Sequence, residues 1–78
     1  MLRKNSLRII RRSLEASLMG LAANSGVSTA TIVSIEKYDV YPSKTVRERL
    51  AKGLGTTEGA IWPDTIETVK IEGNLVNK

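Results

Sequence analysis

The apolar positions of this chain recur mostly at intervals of three and four, the spacing of one face of an α-helix. Leu7, Ile10 and Leu14 make the first such stripe and predict a helix over about 6–14. Ser17 is a candidate N-cap, with a hydroxyl able to accept from a free amide in the first turn of a helix over 18–24. Gly26 then stands where a left-handed residue closes a helix without a Cβ clash. Ser28 caps a third helix over 29–38, whose inward residues are Ile32 and Ile35. Pro42 discourages helix through the linker 39–42. Ser43 or Thr45 opens a fourth helix carrying Val46, Leu50 and Leu54 at i, i+4 and i+8, and Gly55 ends it. A short fifth turn over 57–62 closes at Pro63, with Ala60, Ile61 and Trp62 as its apolar side.

The expected fold is therefore all-α, a compact bundle of five short helices over residues 1–63. Residues 64–78 read differently. The run 65–72 is rich in β-branched residues and partly alternates, and Gly73-Asn74 is a turn signal. Ile66, Val69 and Ile71 share no strict period. A frayed end, a β arm on the domain and a strand that pairs only in a dimer all stay open for this tail. A dimerisation arm is the expectation we carry forward.

The break at Ser25-Gly26-Val27-Ser28 needs a reason, because one longer helix would bury the same side chains. Two short helices joined by a tight glycine-containing turn cross at a steep angle, which is the helix-turn-helix arrangement. Ala22 is small where the two helices approach, Gly26 follows four residues later, and Val27, Ile32 and Ile35 point back to the core. The second helix is then pushed outward, at the size of a major-groove probe.

Charge agrees with a polyanionic partner. The net charge is +4, but residues 1–56 carry ten Lys and Arg against four Asp and Glu, while 57–78 carry two against four. A basic N-terminal body suits nucleic acid. Neither Cys nor His occurs in the 78 residues, which excludes a disulfide framework, the usual zinc site and nucleophile–histidine catalysis. No catalytic residue, metal or cofactor is expected. No apolar run approaches the roughly 20 residues of a membrane span, and the basic start lacks the apolar middle of a secretory signal. The expected location is the cytoplasm, associated with the nucleoid.

The ordered set Leu7-Arg8, Ile10-Arg11, Ser17, Leu21-Ala22, Gly26-Val27-Ser28, Ile32, Ile35-Glu36, Pro42-Ser43, Leu50-Ala51-Lys52, Leu54-Gly55 and Ala60-Ile61-Trp62 resembles the lambda-repressor-like, XRE-type DNA-binding domain. The likeness covers roughly residues 6–63. Glu15 stands where that family often has glycine, and Leu18 where it often has a polar residue that touches the DNA backbone. The resemblance implies a bundle of five short helices with Thr29, Ala30, Val33 and Ser34 facing base edges. Phosphate contacts are expected from Arg8, Ser28, Lys37, Tyr38, Tyr41, Ser43, Lys44 and Thr45. Packing of Tyr38 or Tyr41 against the linker is the competing use of those rings. The resemblance also implies a structural ion pair between Arg11 and Glu36, and Trp62 is expected to be a core lid rather than a stacking platform.

None of the four base-facing candidates is Arg, Gln or Asn, so direct readout is expected to be modest. With three aromatic residues in all, base stacking on single strands is not the expected mode. The leading expectation is a sequence-specific duplex-DNA-binding transcriptional regulator, a repressor, acting as a homodimer. Two alternatives stand beside it: the antitoxin of a toxin–antitoxin pair, with a toxin as protein partner, and a protein-binding adaptor of the same fold.

Overall fold

Hydroxyl side chains decide where the helices begin in the computed structural model, which describes residues 2–63. The elements are α1 (Leu7–Ser13), α2 (Leu18–Ser25), α3 (Thr29–Tyr38), α4 (Lys44–Leu54) and α5 (Glu58–Ile61). Ser17, Ser28, Ser43 and Thr57 each accept a hydrogen bond from the amide three residues on, at 2.9, 3.2, 3.4 and 3.2 Å. Each such bond satisfies one of the amides that a helix start leaves unpaired. At α1 the neighbouring Asn5 takes the part, its Oδ1 accepting from the Leu7 amide at 3.0 Å. The described residues thus form a small all-α bundle of five helices. Among the described residues there is no strand beyond one isolated antiparallel bridge, Leu2 to Val40. The expected dimerisation arm, 64–78, lies outside the described residues.

The helix ends are equally local. Gly26 and Gly55 adopt φ of 75° and 68°, the left-handed conformation that closes α2 and α4. At α4 the Gly55 amide donates to the Lys52 carbonyl and Thr56 to Ala51. The end of α1 repeats this pair of bonds, Glu15 to Arg12 and Ala16 to Arg11, but places Glu15 at φ 58°. A side chain in that region costs roughly 1–2 kcal/mol. Glu15→Gly is therefore expected to raise stability by about 1 kcal/mol, part of the relief being offset by glycine's freedom in the unfolded chain. The midpoint of urea unfolding measures it, and an unchanged or lower midpoint would contradict this account.

The same reversal corrects one expectation. Leu14 does not continue the α1 stripe; it is 55 % exposed, because the helix has already ended at Ser13 and the backbone turns away. The core is Leu7, Leu21, Val27, Ile32, Ile35, Leu50, Ala51, Leu54, Ile61 and Trp62, with Ile10, Leu18, Ala22, Tyr41 and Val46 packed around it. A close helix approach also falls at Gly53, between α2 and α4. A Cβ on Gly53 would lie 3.0 Å from the Ser25 Cβ, so α4 rests directly on the end of α2.

Residues before α1 strap the bundle together. The Arg3 amide donates to the Asp39 carbonyl at 2.8 Å, the Asn5 side-chain amide to the Ile35 carbonyl at 3.0 Å, and the Ser6 amide to the Ile61 carbonyl at 2.9 Å. These bonds join the N-terminal segment to the end of α3, to the linker and to α5. Among the described residues, no single helix is long and apolar enough to cross a membrane.

Candidate nucleic-acid interface

The chain turns by 117° between α2 and α3. The turn is held from inside: Ser25 is buried, donates from its hydroxyl to the Leu21 carbonyl at 2.7 Å and accepts from the Val27 amide at 3.2 Å. Val27, Ile32 and Ile35 then anchor α3 by its inner side, the two isoleucines with no exposed surface. Because α3 is pinned along one stripe, its opposite face stays open. Thr29, Ala30, Lys37 and Tyr38 are exposed there, and Val33 and Ser34 are half-buried.

The start of α3 offers Ser28 and Thr29 at the surface, but Ser28 is already committed to its own helix. It accepts from the Thr31 amide and donates to the Thr31 hydroxyl at 3.0 Å. Ser34 is committed too: its hydroxyl donates to the Ala30 carbonyl at 3.1 Å, one turn back. The start of α4 exposes Ser43, Lys44 and Thr45. Lys44 meets Glu48 at 3.9 Å with both side chains more than half exposed, a pair too loose and too solvated to hold the ammonium in place.

Arg8, Arg11, Leu18, Val33, Glu36 and Lys37 line one shallow groove of about 220 Å³ beside α3. Its three cations differ in kind. Arg8 and Lys37 are exposed. Arg11 is turned inward: its Nε donates to one Glu36 carboxylate oxygen at 2.7 Å, Nη2 to the other at 3.1 Å, and Nη1 to the Ala16 carbonyl at 2.8 Å. The side chains of Arg11 and Glu36 are only 11 % and 6 % exposed, which makes this a partly desolvated, two-pronged pair joining α1 to α3. The hydrogen bonds to Glu36 raise the Arg11 guanidinium above its usual range; burial opposes them and the carboxylate's charge adds to them. A raised arginine keeps its charge, and with it the pair's contribution, until the pH climbs beyond any ordinary condition.

No protein-family model matches the chain, and no curated protein matches it.

Tyr38 and Tyr41, treated alike in the sequence, separate in space. Tyr38 is 64 % exposed at the end of α3. The Tyr41 ring instead packs on the core. Guanidinium carbons of Arg3 and Arg47 lie 4.7 and 4.5 Å from its centroid, and it meets Trp62 edge-on at 6.1 Å. Arg47 also donates to Glu58 at 3.1 Å and to the Pro42 carbonyl at 2.9 Å. Of the two uses weighed for this ring, its placement favours holding the linker. Arg3, Asn5 and Arg47 were not singled out in the sequence, since their partners lie across the bundle and no spacing marks them. Leu18's place beside Val33 was missed for the same reason.

Proposed function

We propose that this chain is a double-stranded DNA-binding transcriptional regulator, a repressor of the lambda-repressor-like, XRE type, working in the cytoplasm at the nucleoid. In this reading α3 enters the major groove, with Thr29, Ala30, Val33 and Ser34 toward the bases. Arg8, Lys37 and Lys44 meet phosphates, helped by the hydroxyls of Tyr38, Ser43 and Thr45, whereas the Ser28 hydroxyl proton is held by Thr31. The observation that carries it is the 117° turn, which leaves the outer face of α3 open while Ile32 and Ile35 are wholly buried. A helix so presented fits a groove about 12 Å wide. A single such helix gives little affinity, so two copies on half-sites about 34 Å apart complete the proposal.

Phosphate contacts release counterions, so affinity for duplex must fall steeply with salt. Three cationic contacts per chain, six in the pair of copies, correspond to a loss of roughly a thousandfold between 50 and 200 mM salt. Fluorescence anisotropy on a labelled random duplex measures this, and a flat response would count against the proposal. A protein-binding adaptor is the second reading, favoured by Ile9, Leu14 and Met19, which are 71, 55 and 76 % exposed. It predicts no salt-dependent duplex binding at all.

A further inference from the structure

The outer face of α3 is poor in groups that read base edges by hydrogen bonding. No Arg, Asn or Gln stands on this helix to make a paired bond to a purine, and its single lysine, Lys37, is assigned to phosphate in the reading above. The structure removes one donor more, because the Ser34 hydroxyl proton is held by the Ala30 carbonyl and its oxygen is left only to accept. What the face presents instead is mostly carbon: the methyl groups of Thr29 and Ala30, both exposed, and the half-buried isopropyl group of Val33, beside the single Thr29 hydroxyl. Leu18, from the start of α2, lines the same groove as Val33, together with the exposed Arg8 and Lys37. Apolar surface among unburied cations is suited to an anionic partner that also offers an apolar group. In the major groove that group is the C5-methyl of thymine.

We propose, building on the duplex-binding reading above, that this protein chooses its sites by pyrimidine C5-methyl groups in the major groove. Thr29, Ala30 and Val33 pack on these methyls, and Leu18 excludes water beside Val33. Cytosine methylated at C5 carries the same group on the same ring carbon. The protein is therefore a reader of 5-methylcytosine as well as of thymine, and methylation strengthens its binding to G·C sequence.

Four alternating duplexes of about two helical turns, roughly 21 base pairs, test this with the full chain at one low salt concentration. They contain A·T, A·U, G·C, and G with 5-methylcytosine. Burying one methyl is worth roughly a factor of four in Kd, so two methyls in contact give about fifteenfold. The A·T duplex is expected to bind more tightly than A·U by that factor, and methylated G·C more tightly than G·C. Ala30→Ser and Val33→Ser, both outside the core, bring the two ratios toward one and leave the salt dependence unchanged. Equal affinity within both pairs, with steep salt dependence retained, overturns methyl reading while duplex binding stands. A methyl effect in one pair alone also overturns it, because that reports the stiffness of one polymer. Absence of salt-dependent binding to all four overturns both proposals.

Discussion

Arg11→Ala is expected to leave the domain largely unfolded at room temperature. The guanidinium it removes makes three hydrogen bonds, two to Glu36 and one to the Ala16 carbonyl. Glu36 is 6 % exposed, so its carboxylate cannot recover its hydration without pulling α3 away from α1. Breaking one side of a buried pair costs about 3–5 kcal/mol. A single core of this size supplies net stability of about the same magnitude. The lost bond to Ala16 also releases the α1–α2 connection, where Glu15 is already strained. Far-UV circular dichroism and a urea melt check this; a loss below about 1 kcal/mol would mean the pair is solvated in practice. The double replacement Arg11→Met with Glu36→Leu should recover much of the stability, since apolar residues of similar volume often replace a buried pair at little cost.

Thr29→Glu should weaken duplex binding at least tenfold, about 1.4 kcal/mol or more, and leave the fold intact. Thr29 is exposed at the first position of α3, so a carboxylate there would face the phosphates and base-edge acceptors of a bound groove. The first turn of α3 holds no acid at present. A negative charge at a helix N-terminus contributes about 0.3–1 kcal/mol of stability, so this variant melts no lower than the parent. Weak binding together with an unchanged or raised melting temperature separates an interface effect from unfolding. Lys44→Glu on α4 is the companion variant. It removes a phosphate partner and should flatten the salt dependence by about two contacts, one lost and one reversed. If neither variant weakens binding to duplex, α3 is not the probe and the adaptor reading gains.

The open face of α3 could be read in advance because its inner stripe is periodic. Ile32 and Ile35 with Val27 define one side, and the rest follows from 100° per residue. The chemistry of that face was only half readable. Ser34 looks like a free hydroxyl in the sequence, but a helical serine can bond back to the carbonyl four residues earlier, and here it does. Tyr38 and Tyr41 are three residues apart, yet only the second reaches the core. The difference lies in Arg3, Arg47 and Trp62, which come from three other parts of the chain.

The sequence alone determined where four of the helices start and where α2 and α4 stop. Those choices depend on bonds spanning three to five residues and on the φ that glycine permits, so the signal sits beside its effect. It likewise determined that Ile32 and Ile35 face inward. Tertiary structure decided the rest: the strap of residues 2–6 across α3 and α5, the contact of Gly53 on Ser25, and the gathering of Leu18, Val33, Arg8 and Lys37 at one groove. Each of these joins segments ten or more residues apart in the chain. Such pairs leave no periodic trace in a chain, because what brings them together is the packing of whole helices.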